Sequence, residues 1–379
     1  MTNFVNRTTT ASAARQPRGI VKVNDVVLPG WIDFEVDNNA FFHADTFRCR
    51  FAVSALPAEY SKAWWASQPS IFVELFIGFP ADVDSFSAAE LESFIYGQVD
   101  DVSYDPVDAT IEVSGRDKTA DFIDAKTYEQ FVNHTSSMIA TELATRHGLT
   151  PVVTKTTTKV GTYYAQENRR IPLDRSEWDL LTWLAEEEGF SVYVKGRELH
   201  FEPQVQPDAD QYALKWQDPA PDADIASPVF NGVALTCSRN LTLAKDIVVY
   251  VRSWNTKQKK GFTVKAQASH AKTTTGGAAP ASGASQIYSF VKPGLTREEA
   301  QAMANSKLKD LSAHEMKITA DLPGDNLLAL TTLVNLSGTG TAFDQVYYPD
   351  SITRRLSFSG GYEMRLSAKN HSPESTVLA

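Results

Sequence analysis

The sequence predicts an α+β fold that is mostly β. A small antiparallel β-barrel comes first, an α+β unit follows, and a second β-rich unit, interrupted by a loop and a helix, comes last. Three observations lead to this prediction. Apolar and polar residues alternate between residues 20 and 115, which is typical of half-buried strands. Helical spacing replaces this alternation between residues 126 and 226, and strand-like runs return from residue 227.

The first β region, residues 18–115, contains about five or six short strand-like runs. The run IVKVNDVVLPG predicts a hairpin that turns at Asn24 and Asp25. In DTFRCRFAV, alternation places four apolar side chains on one face, namely Phe47, Cys49, Phe51 and Val53. So many short strands in a region of this length favour a small barrel, which leaves no open sheet edge.

The α+β unit, residues 116–226, contains two predicted helices. The first lies in TSSMIATELATRHG, where a Ser/Thr cluster precedes the apolar stripe and can cap it. The second lies in SEWDLLTWLAEEEG, where Ser176 and Asp179 have the spacing of a capping box. Both patterns predict helices with one buried face.

The last unit is β-rich over residues 227–256 and 314–379, with an insertion at residues 257–313 between the two parts. Within the insertion, AKTTTGGAAPASGAS has too few large apolar residues to pack and predicts a loop. LTREEAQAMANSKLKDLS has helical periodicity and predicts a helix. The insertion therefore combines a loop with a helix.

The composition argues against several classes of protein. Lys and Arg number 36 and Asp and Glu number 46, a net charge of −10, and the absence of a basic block argues against specific nucleic-acid binding. No apolar run approaches the roughly 18 residues of a membrane-spanning helix, so we expect no direct membrane insertion. Residues 1–17 lack the apolar segment of a secretory signal and predict a flexible polar arm. Cys49 and Cys237 predict buried free thiols.

No motif predicts catalysis, a cofactor or a metal. Residues 115–119, GRDKT, lack the second Gly that precedes the Lys of a phosphate-binding loop, and residues 338–343, GTGTAF, lack the third Gly of a dinucleotide fingerprint. The 7 histidines include no pair with metal-ligand spacing. The Asp-rich run PDADQYALKWQDPAPDADIAS lacks the Gly of a calcium loop, which favours a solvated acidic linker. We therefore predict a protein that is not an enzyme.

Two adjacent tryptophans are candidate interface residues. Trp64 and Trp65 cannot share one face of a helix or strand, so one of them is expected to be partly exposed. One interpretation places one ring in the core and the other on its rim. The alternative is an anchor for another protein, because aromatic residues are enriched at interface hot spots.

The stretch VSGRDKTADFID closely resembles the end of the first barrel in hub proteins of contractile phage tails, the gene-D-like or late-control family of Mu-like phages. The residues that carry this resemblance are Gly115, Arg116, Asp117, Lys118, Thr119, Ala120, Asp121 and Asp124. Four other stretches resemble the family more loosely, and together they extend over about residues 20–370: GQVDDVSYD, LDRSEWDLLTWLAEEEGFSVYV, PGLTREEAQAMANSKL and DQVYYPDSITRRLSFSGGYEMRLSA.

The resemblance implies a fold with two small antiparallel β-barrels, an intervening α+β domain and the helix/loop insertion in the second barrel. It implies a homotrimer in which six similar barrels form a ring, a closed symmetry of the usual kind. Such a ring joins the six-fold tail tube protein to a trimeric spike protein, contacts other baseplate proteins and lets DNA pass. An acidic surface suits a channel that should not retain DNA. No cofactor is implied.

The expected function is therefore a structural baseplate hub, located in the virion tail and assembled in the cytoplasm of the host bacterium. Two alternatives stay open: a tail-associated cell-wall hydrolase, and the hub of a tail-like bacteriocin or secretion apparatus. Two segments, residues 1–17 and 273–285, do not correspond to any feature of the family that the chain resembles.

The stretch that carries the resemblance also predicts a structural joint. A strand is expected to end near Gly115, and a short helix to follow with Asp117 or Thr119 as its N-cap. Asp121 would lie in the first turn, where the helix dipole favours an anion. Arg116 and Lys118 then have carboxylates nearby. We interpret the stretch as the joint between barrel and α+β unit, and a contact of either cation within the ring is the second interpretation.

Overall fold

The computed structural model confirms a mostly β, α+β fold. It describes residues 4–6, 16–40, 43–127, 131, 133–157, 159, 175–203, 210–219, 228–240, 247–255, 260–267, 286–292, 294–312 and 316–370. Within these ranges the α-helices are α1 Lys62–Ser67, α2 Thr119–Asp124, α3 Ser136–Arg146, α4 Glu177–Glu188 and α5 Arg297–Ser312. No helix in these ranges is long and apolar enough to cross a membrane.

The strands within the same ranges are, in chain order, β1 Arg18–Val23, β2 Val26–Val27, β3 Trp31–Asn39, β4 Thr46–Ala52, β5 Phe72–Gly78, β6 Glu92–Asp105, β7 Thr110–Asp117, β8 Lys126–Thr127, β9 Thr150–Val153, β10 Arg175–Ser176, β11 Phe190–Lys195, β12 Glu198–Pro203, β13 Gln211–Gln217, β14 Val229–Phe230, β15 Ala234–Arg239, β16 Ile247–Asn255, β17 Lys260–Gln267, β18 Gln286–Val291, β19 Met316–Pro323, β20 Leu333–Ser337, β21 Val346–Ser357 and β22 Gly361–Lys369.

The first β region is antiparallel, with neighbouring strands in the order β3, β4, β7, β6, β5 and β1. The predicted turn at Asn24 and Asp25 is present: both residues have positive φ, 48° and 66°, and β1 pairs with β2 across them. Asn and Asp tolerate this left-handed conformation better than most residues. The strands enclose a core whose largest fully buried side chains include Phe34, Phe51, Leu75, Ile77, Ile95 and Ile111.

A hydrogen-bonded seam joins the first β region to the second. Strand β3 pairs antiparallel with β21, in register from Ser351 opposite Asn39 to Ser357 opposite Asp33. Leu356 of β21 and Tyr362 of β22 also pack into the core of the first region. The two β regions therefore share one 14-stranded sheet.

The α+β unit packs α2, α3 and α4 with a small sheet of β11, β12 and β9. Helix α4 begins with the predicted capping box, in which Ser176 and Asp179 exchange hydrogen bonds of 2.9 and 3.0 Å between side chain and backbone. It ends at Gly189, whose φ of 69° is the left-handed conformation that Gly adopts at little cost. The shared core includes Phe122, Ile139, Leu143, Leu181, Leu184, Leu199 and Phe201.

The second β region follows the order β14, β13, β20, β21, β22, β19 and β15. Strand β13 falls within residues 116–226 of the sequence but pairs in parallel with β20, from Gln211 opposite Leu333 to Lys215 opposite Ser337. It therefore belongs to this sheet. The core beneath it contains Leu214, Ile318, Val334, Tyr347, Ile352 and Leu366.

The insertion forms a small layer with its own core. Strand β16, which the sequence places with residues 227–256, pairs with β17 and β18 of the insertion instead. Its apolar run would suit either sheet, so only the pairing decides. The predicted helix is confirmed as α5 and packs its Ala300, Ala304 and Leu308 on this sheet. The predicted loop at residues 273–285 lies outside the described residues.

Candidate functional site: the buried joint between the β regions

The corner after β7 is stabilised by Asp117, which is 5% exposed. The Oδ1 atom of Asp117 accepts a 3.2 Å hydrogen bond from the backbone N–H of Thr119, and Oδ2 accepts a 2.8 Å hydrogen bond from the Thr119 hydroxyl. Lys118 immediately precedes α2, and its side chain makes no capping hydrogen bond. The carboxyl group of Asp117 therefore provides the polar cap at the start of α2.

Gly115 is required by a close approach of two backbones. A Cβ atom at this position would lie 2.0 Å from the carbonyl oxygen of Gln98 on β6. Gly97, on the same partner strand, has the reciprocal constraint, because its Cβ would lie 2.2 Å from the carbonyl oxygen of Arg116. Any side chain at either residue would push β6 and β7 apart.

A second carboxyl group, that of the half-buried Asp45, lies beside Asp117. The backbone N–H of Asp117 donates a 2.9 Å hydrogen bond to the Asp45 carbonyl oxygen. The Asp45 side chain accepts hydrogen bonds of 2.7 Å from the Asn38 amide and 2.6 Å from the backbone N–H of Asn39. Burial raises the pKa of Asp45 from 3.8 to about 7, although these two hydrogen bonds and the charge of Arg354 act in the opposite direction.

Burial also raises the pKa of Asp117 well above its usual value, and the charge of Asp45 raises it further. Two carboxyl groups in one low-dielectric region disfavour each other's ionisation. The hydrogen bonds from Thr119 act in the opposite direction and do not overcome burial. The corner therefore holds protons at pH values where exposed carboxyl groups have lost them.

Arg354 of β21 completes the arrangement from the second β region. It is 2% exposed, and its Nη1 donates a 2.8 Å hydrogen bond to the Asn38 side-chain oxygen. Its Nη2 donates to the carbonyl oxygen of Leu328, and its guanidinium carbon lies 4.4 Å from the centre of the Phe94 ring. Cation–π contact of this kind offsets part of the cost of burying the charge.

We call this connected set the buried joint and define it as Asn38, Asp45, Asp117, Thr119 and Arg354. Its hydrogen bonds run from the second β region, across the seam, to the first turn of α2. Hydrogen bonds between buried polar groups on packed elements favour one relative geometry of those elements. In this set, Nη1 and Nη2 of Arg354 are hydrogen-bonded, whereas its buried Nε has no hydrogen-bond partner in the described part of the chain. The buried joint therefore has a structural role. It fixes the second β region, the first β region and the start of α2 relative to one another.

The two cations of the predicted corner are paired within the chain. Arg116 donates two hydrogen bonds to Asp100, at 2.8 and 3.2 Å, and one of 3.2 Å to Asp124. The hydrogen bond to Asp100 is the main cause of the raised pKa of Arg116. Lys118 forms an ion pair with Asp121 in the first turn of α2. These contacts account for the predicted proximity of cations and carboxylates.

The two tryptophans have different environments. Trp65 is 2% exposed and lies in the core of the first β region, 5.4 Å from Phe51 between ring centres. Trp64 is half-buried and packs edge-on against both Trp65 and Tyr60, at 5.0 and 4.9 Å. Trp64 is therefore the member of the pair with an accessible face, and its role as an interface anchor stays a prediction.

Sequence reasoning located Asp117 but missed Asp45 and Arg354. A signal for Arg354 exists in the strand pattern, because Ile352, Arg354 and Leu356 share one face and the two apolar residues are buried. A cation at such a position predicts an internal partner. In the described ranges, no group of three or more His, Cys, Asp or Glu side chains could hold a metal ion.

Comparison with protein-family models and with curated proteins found no match. Comparison with solved structures found a tail protein from Neisseria meningitidis at 13% identity, with a TM-score of 0.66 over 95% of this chain and 99% of that one. A 43 kDa tail protein of prophage MuSo2 from Shewanella oneidensis matches at 17% identity, with a TM-score of 0.62 over 96% and 100%. A prophage tail protein from Listeria monocytogenes matches at 11% identity, with a TM-score of 0.52 over 94% and 97%. The chain therefore has the fold of these tail proteins over nearly its whole length.

Proposed function

We propose that this chain is a structural protein of a phage tail baseplate. The observation that carries the proposal is the match of nearly the whole chain to tail proteins of similar length. Fold alone does not specify function, so the finer statements depend on the arrangement of the two β regions. Both lie in one sheet and are fixed by the seam and the buried joint.

Within the baseplate, we propose the role of a homotrimeric hub. Three copies, each with two β regions held in a fixed relation, would present six similar units around one axis. One face of such a ring suits a six-fold tail tube, and the other suits a three-fold spike. The net charge of −10 agrees with a channel that DNA crosses without being retained.

The proposed partners are therefore a second and third copy of this chain, the tail tube protein, a trimeric spike protein and other baseplate proteins. The proposed location is the baseplate of the virion tail, after assembly in the host cytoplasm. A hub of a tail-like bacteriocin or secretion apparatus would use the same geometry.

Light scattering and electron microscopy of the purified chain test the trimer. We expect a trimeric mass and a ring with three-fold symmetry in projection. A strict monomer at high concentration, together with tails that show no three-fold ring at the baseplate, would overturn the hub.

A peptidoglycan turnover assay tests the alternative of a cell-wall hydrolase. We expect no release of soluble fragments from purified cell walls above a buffer control. Release that scales with protein concentration would instead favour the enzyme.

A further inference from the structure

The second β region has one strand edge that the N-terminal residues cover. Strand β14 pairs with β13 only at Trp216 and Gln217 within the described residues, which leaves the earlier part of that edge of β13 without a neighbouring strand. Residues 4–6 lie there: Phe4 pairs in parallel with Gln211, and the backbone N–H of Val5 donates a 2.8 Å hydrogen bond to the Gln211 carbonyl oxygen.

Asn6 extends this pairing through its side chain. Its Oδ1 accepts a 2.8 Å hydrogen bond from the backbone N–H of Ala213, and its Nδ2 donates one of 2.8 Å to the Ala213 carbonyl oxygen. The amide thus imitates the backbone of a further strand. Val5 packs against the core of the second β region, and the Lys215 ammonium lies 6.0 Å from the centre of the Phe4 ring. Residues 4–6 are therefore attached to this edge by one isolated β-bridge and by the Asn6 side chain.

The covalent connection of residues 4–6 to the first β region is a short segment. Residues 7–15, RTTTASAAR, lead from Asn6 to the start of the first β region, where β1 begins at Arg18. Fully extended, nine residues span roughly 30 Å. A segment of this reach allows residues 4–6 to pair with β13 of the same copy or with β13 of a neighbouring copy.

We propose that in the assembled oligomer residues 4–6 of one copy occupy the β13 edge of the next copy. An exchanged element makes the same hydrogen bonds and the same apolar contact in its new position, so exchange between identical copies sacrifices no contact. A ring holds neighbouring copies side by side and thereby gives the segment a high effective concentration at the adjacent edge. Such pairing of an extended segment with a sheet edge is also a common way for proteins to recognise one another.

This inference rests on the oligomer proposed above and adds the residues that link its subunits. In the exchanged form, residues 4–6 of each copy tie it to the next around the ring. The occupant of the edge is a second copy of this chain.

Disulfide trapping between two differently tagged chains tests the exchange. One chain carries Phe4→Cys and the other carries Gln211→Cys, because these two residues are paired neighbours. Both chains also carry Cys237→Ser, which removes the half-buried natural thiol, while Cys49 is buried. The two chains are co-expressed, purified through both tags, oxidised mildly and separated by non-reducing electrophoresis.

We expect a covalent species that contains both tags, since neither chain can form this disulfide alone. A control that replaces Gln211→Cys by Lys317→Cys, on the exposed face of β19, should give no such species. The exchange is overturned if the two-tag species stays at the control level, whether or not a single chain with both Phe4→Cys and Gln211→Cys closes an internal disulfide.

Light scattering of the untagged protein measures the oligomeric state, and so tests the proposed trimer independently of the exchange. A trimer without the cross-linked species overturns the exchange and leaves the hub intact. An oligomer that cross-links but is not a trimer supports the exchange and overturns the three-fold hub.

Discussion

Asn38 of β3 and Arg354 of β21 lie 316 positions apart in the chain and share a 2.8 Å hydrogen bond across the seam. The same Asn38 side chain donates to Asp45 at 2.7 Å. One amide thus connects a buried cation of the second β region to a half-buried carboxyl group of the first. An amide is well suited to this position, because it can donate and accept at once.

Arg354→Met is expected to destabilise the isolated protein by about 2 to 4 kcal/mol, because the Asn38 side-chain oxygen and the Leu328 carbonyl oxygen lose their donor. Urea unfolding measures the loss. The control is Arg355→Met on the same strand, where the side chain is exposed and a change within about 0.5 kcal/mol is expected. Equal losses in the two variants would contradict a role for the buried joint.

The pKa of Asp45 predicts a pH dependence of stability. Its carboxyl group has a pKa of about 7 in the folded protein, whereas the ordinary value is 3.8, so the folded state binds more protons between these values. Its contribution to stability is fully present below about pH 4 and is lost as the pH rises towards 7. Each unit of pKa difference corresponds to about 1.4 kcal/mol, so the loss reaches a few kcal/mol.

Thermal unfolding between pH 4 and pH 8 measures this dependence. Asp45→Asn cannot titrate, so the difference in melting temperature between the variant and the wild type should shrink as the pH rises. Asp84→Asn, at an exposed carboxyl group, serves as the control and should follow the wild-type profile. Parallel profiles for the wild type and Asp45→Asn would rule out the raised pKa.

Gly115→Ala is expected to destabilise the protein by more than about 3 kcal/mol, because its Cβ would lie 2.0 Å from the Gln98 carbonyl oxygen. The backbone of β6 cannot yield without breaking the ladder that it shares with β7. Gly360→Ala is a matched control, since its Cβ would meet only side-chain atoms, the Ser357 Oγ at 3.0 Å and the Glu363 Oε1 at 3.5 Å. Midpoints of chemical unfolding compare the two, and a mild effect at Gly115 would show that the strands can separate.

The two tryptophans are expected to differ in what their loss affects. Trp65→Ala should cost about 3 to 5 kcal/mol of folding stability, because its ring fills the core beside Phe51. Trp64→Ala should cost less in folding and more in assembly if its accessible face is an interface anchor. Urea unfolding and sedimentation of both variants separate these effects. Equal losses of stability and assembly for Trp64→Ala would favour a purely structural ring.

Local features of the fold were predictable from the sequence because their causes are local. The turn at Asn24 and Asp25 needs residues that tolerate positive φ, and α4 needs its capping box of Ser176 and Asp179. In each case the residues that cause the feature lie within a few positions of it. The same reasoning named Asp117 or Thr119 as the N-cap of α2. The N-cap position is Lys118, and Asp117 supplies the side chain that accepts hydrogen bonds there.

Pairings between distant strands were not predictable in this way. Strands β13 and β16 have the strand pattern that both neighbouring sheets would accept, and only the assembled core decides which sheet each one joins. The seam depends likewise on strands more than 300 positions apart, as for Ser351 opposite Asn39. Asp45 and Arg354 lie near each other because the seam pairs β3 with β21. Their proximity therefore could not be predicted from the local sequence around either residue.

The seam has a mechanical consequence. It is an antiparallel ladder of seven paired positions, from Ser351 opposite Asn39 to Ser357 opposite Asp33. The hydrogen bonds of such a ladder are perpendicular to the strands. A force that pulls the two β regions apart along the strands therefore loads all rungs of the ladder in shear at once, rather than opening them one after another. The two β regions would therefore move under such a load as one rigid unit.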